Sequence, residues 1–116
     1  MNLPMADEPA PTLSVVIPAY NEAELIEASL REVCQFLRAR SLRAEILVVD
    51  DGSTDDTAAL VERALESCGI PWRLLRQNPN AGKAQAVRRG MLEARGALLL
   101  MTDADLSTPL DEYDRL

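Results

Sequence analysis

The sequence predicts an α/β fold built on a mostly parallel sheet, and three observations carry that expectation. Short apolar, β-branched runs alternate with stretches of helical periodicity, in the order strand, helix, strand, helix, strand, helix, strand. Each link is long enough only for a helical return, which makes the strands parallel with right-handed crossovers. Every strand also ends in polar residues, and in such sheets ligands sit beyond the carboxyl ends of the strands.

Leu13 to Ile17 reads as a buried strand stopped by Pro18. Asn21 and Glu24 stand in a capping-box relation before a first helix, whose inner face is Ile26, Leu30, Val33 and Leu37 and which ends near Ala39. Ala44 to Val49 is a second buried strand, and Ser53 or Thr54 is placed to cap the next helix. That helix has Val61, Ala64, Leu65 and Cys68 inward and Gly69 at its end. Trp72 to Arg76 alternates in the manner of a strand nearer an edge. After the turn residues Asn78 to Gly82, a third helix is marked by Ala84, Val87, Met91 and Ala94 and closed by Gly96; residues 97 to 101 form strand four. The first dozen residues, with Pro4, Pro9 and Pro11, lack both the basic residues and the apolar core of a targeting peptide, and read as a flexible tail.

Composition narrows the partners. Nineteen acids against twelve bases leave a net charge of -7, which disfavours nucleic acid and anionic lipid and means that a phosphate ligand needs local help, for which a divalent cation is the natural source. The absence of histidine excludes imidazole catalysis and His-ligated zinc. Cys34 and Cys68 lie far apart, without CxxC spacing, and read as reduced thiols of a cytoplasmic protein. No apolar run approaches the roughly 20 residues of a membrane span.

The strand ends hold the chemistry. Asp103 and Asp105 leave strand four two residues apart, so on an extended backbone both project to one side and can share Mg²⁺ or Mn²⁺, with water and phosphate oxygens completing the shell; the structural alternative is a solvated turn. In Asp50-Asp51-Gly52 one carboxylate can accept a hydrogen bond from a base ring N–H, while the alternative is helix capping by Asp50 or Ser53. Asp55 and Asp56 fit a helical first turn. Tyr20 is a stacking ring or a packed surface aromatic. Gly82-Lys83 lacks the rest of a P-loop, yet Lys83 is the only lysine in the chain and stands where it can reach a diphosphate; Arg88 and Arg89 read as solvated.

Together VVIPAYNEAELI, EILVVDDGSTDDT, NAGKAQAVRRG and MTDADLSTP resemble the family 2 glycosyltransferases, in order and at plausible spacing, and most of all the branch that moves sugars onto dolichyl or other polyprenyl phosphates. The resemblance covers residues 13 to 116 and only the first half of that family's catalytic domain, so the chain reads as a truncated nucleotide-sugar-binding half of a GT-A fold, a three-layer sandwich with strand order 3-2-1-4. It implies that Pro18, Ala19, Tyr20, Glu22 and Asp51 surround base and ribose, that Lys83 lies near the nucleotide, and that Asp103 and Asp105 are the DxD pair, with metal on the second acid. Ser107 and Thr108 stand where many mannosyl members have Gln and His, which tilts the donor from GDP-mannose towards UDP-glucose.

The implied reaction is inverting transfer of a hexose from a nucleoside-diphosphate sugar to a polyprenyl or dolichyl phosphate, at the cytoplasmic face of a membrane. No general base is picked out. The alternative is a nucleotide-binding module with no activity of its own; a sugar nucleotidyltransferase would need a Gly-rich basic loop where PAYNE stands. In the resembled order strand four is left at an open edge without charge or proline, and self-association through that edge is the expectation.

Overall fold

A computed structural model describes residues 10–106 and Leu110. Four parallel strands, β1 (Leu13–Ala19), β2 (Ala44–Asp50), β3 (Trp72–Arg76) and β4 (Leu98–Met101), lie in the order β3-β2-β1-β4. Between them run α1 (Ile26–Ala39), α2 (Thr57–Glu66) and α3 (Lys83–Glu93). Much of the tail expected over residues 1–12 and the Ser107-Thr108 pair lie outside the described residues. Thr12 already belongs to the sheet: its N–H donates to the Arg43 carbonyl and its carbonyl accepts from Leu98.

The pleat divides the core. Val15, Ile17, Ile46 and Val48 point to one face, where they meet Ile26, Leu30, Val33 and Leu37 of α1 and Val61, Ala64 and Leu65 of α2, all buried. Val16 and Val49 point to the other face, under α3. The α1/α2, sheet and α3 layers make the expected three-layer sandwich. Burying β1 and β2 on both faces requires the near-continuous apolar runs that made them legible.

Four local expectations are corrected. The capping box does not form: Asn21 takes a left-handed φ of 50° and α1 begins five residues later, at Ile26. Pro18 does not stop β1. It pairs with Val49, and β4 ends opposite Val16, so no neighbour on that side misses the absent N–H. The inner face of α3 is Ala86 and Gly90, with Met91 half exposed, because the helix sits so close to the sheet that only small residues fit. Cys34 and Cys68 are not reduced thiols but a disulfide with Cα atoms 5.8 Å apart, since α1 and α2 lie side by side on the same face. That removes the support the cysteines lent to a cytoplasmic location.

A Cβ at Gly90 would come 2.4 Å from Cγ1 of Val16, a rigid side chain in the middle of the sheet. Gly90→Ala is therefore expected to destabilise the fold by about 1 to 2 kcal/mol, overpacking outweighing the helix propensity gained. Urea unfolding checks it; an unchanged or raised midpoint would show that α3 is free to lift.

Candidate functional site at the carboxyl edge of the sheet

The ends of β1, β2 and β3 are level, Ala19 lying opposite Asp50 and Asp50 opposite Arg76. β4 stops earlier, opposite Val16, and Thr102, buried, continues the ladder with a bond to the Val16 carbonyl. The step leaves a hollow of about 440 Å³ over β1, between the loops after the four strands.

The β1 and β2 loops are laced together. Asn21 donates its backbone N–H to Ser53 Oγ and accepts at Oδ1 from the Thr54 N–H, both at 2.8 Å. Glu22 N–H donates to Thr57 Oγ1 and Ala23 N–H to Asp55. This is where the side chain of Asn21 is used, in place of the helix cap. Asp55 also accepts from the Thr57 hydroxyl and backbone, which hold its carboxyl below the usual range; with Asp56 it lies just ahead of α2 and not in the first helical turn expected for the two acids. Neither Ser53 nor Thr54 caps α2, which begins at Thr57.

The two neighbouring acids of β2 part ways. Asp50 is fully buried against Arg76 Nε at 3.0 Å and the Ser53 hydroxyl, which makes it structural. Asp51 faces the hollow and braces the loop before α3: Oδ1 accepts from Ala81 N–H at 2.6 Å and Gln77 Nε2 at 3.0 Å, and Oδ2 from Gly82 N–H at 2.9 Å. Asn80 Nδ2 donates to the Asp51 carbonyl, and the loop backbone crosses so close over Gly52, at φ 75°, that a Cβ there would lie 2.9 Å from Asn80 N.

So held, the loop delivers Lys83 as the first residue of α3, with Nζ 2.7 Å from Asp103 Oδ1. That contact raises the lysine pKa. Beyond Asp103 the backbone is not extended. Leu106 N–H bonds back to the Asp103 carbonyl and Leu106 has a φ of 50°, so a turn, not the pleat, brings Asp105 to the same hollow. Partial burial, then the charges of Asp105, Asp55 and Asp103, raise the Glu22 pKa.

The residues that the resemblance assigns to donor and metal, Pro18, Ala19, Tyr20, Glu22, Asp51, Lys83, Asp103 and Asp105, line this one hollow. Asn80, Gly82, Ala86 and Ala104 complete it and were not singled out. The NAGK string held a signal for Asn80 and Gly82; small apolar residues such as Ala86 and Ala104 carry none. Arg88 is exposed, and Arg89 is spent on the Arg76 carbonyl. Among the described residues no group of three or more acids could hold a metal by itself. The hollow offers hard carboxylate oxygens too few to fill the shell of Mg²⁺ or Mn²⁺ alone, and water or a ligand's oxygens would complete it.

This sheet order, with a polar hollow at the step beside β4, defines the GT-A glycosyltransferase architecture, and solved structures of that class superpose on it. A mannosyltransferase from Pyrobaculum calidifontis, in complex with GDP-Man and Mn²⁺, matches with a TM-score of 0.75 and 35% identity over 83% of this chain and 28% of its own. TarS of S. aureus, in complex with UDP-GlcNAc, matches with a TM-score of 0.73 and 26% identity over 81% of this chain and 26% of its own. The glycosyl transferase family 2 model matches residues 14–116, and the chain belongs to that family. A dolichyl-phosphate beta-glucosyltransferase of Drosophila melanogaster is 40% identical over 97% of this chain and 36% of its own length. An undecaprenyl-phosphate 4-deoxy-4-formamido-L-arabinose transferase of Pseudomonas savastanoi is 35% identical over 97% and 33%. The chain spans about a third of the length of these curated relatives. Among the described residues no helix is long and apolar enough to cross a membrane.

The raised Glu22 pKa has a stability consequence. The folded state holds this proton more tightly than the unfolded chain, so the group costs stability as pH rises from the ordinary glutamate value through the raised one. Glu22→Gln is expected to melt at a higher temperature than wild type at pH 7 and level with it below pH 4. Melting curves at the two pH values check this; an equal or lower midpoint at pH 7 would mean that neither burial nor the neighbouring acids penalise the Glu22 charge.

Proposed function

We propose that the full-length protein transfers a hexose from a nucleoside-diphosphate sugar, UDP-glucose or GDP-mannose, to a polyprenyl or dolichyl phosphate, and that this chain holds the donor. One observation carries the reading: residues from four separate motifs converge on one hollow at the carboxyl edge of a GT-A sheet. The names of the relatives support a lipid-phosphate acceptor and favour glucose.

Tyr20 is nearly half exposed and offers a ring face to the base. A carboxylate has roughly four acceptor positions. Asp51 uses three on the loop, which leaves one on Oδ2 for a ring N–H. Lys83 at the start of α3 suits a diphosphate. Asp103 and Asp105 would hold a divalent cation together with diphosphate oxygens; the Glu22 pKa is raised by burial first and then by the neighbouring acids, and only that second part is charge such an ion would relieve. Bound there, the cation supplies leaving-group assistance to the departing nucleoside diphosphate. In the transfer a phosphate oxygen of the acceptor bonds to the anomeric carbon as the carbon–oxygen bond to the diphosphate breaks on the opposite side. The acceptor is already ionised and needs little help from a base. It meets the donor at a membrane face, where its lipid lies.

Titration calorimetry with UDP-glucose and GDP-mannose, in Mn²⁺ and in EDTA, tests the proposal. Binding in Mn²⁺ is expected to be at least about tenfold tighter, the size of one charge-assisted contact, and Asp105→Asn is expected to abolish the difference. Equal affinity in EDTA, or no donor binding at all, would overturn it.

A further inference from the structure

We propose that Lys83 is a built-in counter-cation of the acid cluster, occupying Asp103 in the free protein and leaving it when a divalent cation enters, so that cation affinity is set by competition with the chain's own lysine. The inference rests on the reading of Asp103 and Asp105 as a cation site and adds a switch to it.

The pair is built for exchange. Nζ lies 2.7 Å from Asp103 Oδ1, yet 63% of the lysine side chain and 38% of the aspartate side chain are exposed, so water and ions reach both partners. An ion pair so exposed is weak and easily replaced. The backbone of Lys83, by contrast, is fixed: the residues just before it are held by Asp51, and α3 is seated on the sheet through Ala86 and Gly90. Only the flexible four-carbon stem has to move.

Charge gives the exchange its direction. Asp51 is engaged by the loop, and Glu22, Asp103 and Asp105 bring three further carboxylates to the same hollow, a local concentration of negative charge. A divalent ion neutralises more of it and repels the ammonium from Asp103. The released lysine remains at the N-terminus of α3, within the same hollow, where a diphosphate brought by the ion would meet it. Lys83 would then serve two successive partners, an aspartate before the donor arrives and a phosphate after.

As the only lysine in the chain, Lys83 can be watched without ambiguity. In protein carrying ¹³C- and ¹⁵N-labelled lysine, Mg²⁺ added without nucleotide is expected to move the single side-chain signal to the position of free lysine. Lys83→Met is expected to bind Mn²⁺ about three- to tenfold more tightly than wild type, and Lys83→Arg with wild-type affinity, by electron paramagnetic resonance without nucleotide. An unmoved lysine signal, equal or weaker Mn²⁺ binding by Lys83→Met, or no Mn²⁺ binding by either protein, would overturn the inference. Failure of the cation-site reading looks different: donor binding indifferent to EDTA, whatever the variants of Lys83 do.

Discussion

The Asp51 carboxylate is the interaction on which the site depends. Its three hydrogen bonds, joined by those from Asn80 Nδ2 and the Gln77 N–H to the carbonyls of Asp51 and Asp50, hold the loop from Gln77 to Gly82 down over Gly52 and set where α3 starts. The same bonds place a negative group at the N-terminus of α3, where the helix dipole favours it, and they do so at the centre of the hollow. One residue thus joins the β2 end to the β3–α3 loop and carries Lys83 to within reach of the β4 end. The parallel sheet brings the four loops near one another; Asp51, together with the bonds from Asn21, Glu22 and Ala23 to the β2–α2 loop, makes them one surface.

That surface is electrostatically unfinished. Asp50 is met by Arg76, Asp51 by backbone N–H groups and Asp55 by Thr57. Asp103 and Asp105 share the hollow with Glu22, whose pKa is raised by burial and, after that, by these neighbouring acids. On the proposed reading, a fold with a net charge of -7 and carboxylates in its cleft would meet a nucleoside diphosphate through a cation. The exposed lysine supplies part of that cation in the free protein, and a divalent ion can supply the rest with the donor.

Much of this was legible from residue order because the signals were strong and local. β1 and β2 are buried on both faces and announce themselves as unbroken apolar runs; the weaker alternation of Trp72 to Arg76 marked the edge position that β3 occupies. The site residues stood out because polar groups at strand ends have one edge on which to meet. What escaped was set by tertiary contacts. Asn21 has the chemistry of a helix cap, and only the neighbouring loop explains why its oxygen goes to Thr54 instead. The inner face of α3 is small where a periodicity argument looks for large apolar residues. Cys34 and Cys68, separated by 34 positions, become partners only when two helices dock on one face. The approach of Asp105 to the hollow depends on a turn that extended-strand geometry does not foresee.

The central claim is that the hollow at the carboxyl edge receives a cation and a nucleotide sugar together. Mapping paramagnetic broadening by Mn²⁺ on the ¹⁵N-labelled chain, in the presence of UDP-glucose, tests it most directly. The expected result is that amides of residues 20–22, 82–83 and 102–105 broaden first, while those around Arg43, Gly69 and Arg95, at the opposite end of the sheet, persist. Broadening centred on that opposite end, or spread evenly over the acidic surface, would contradict it.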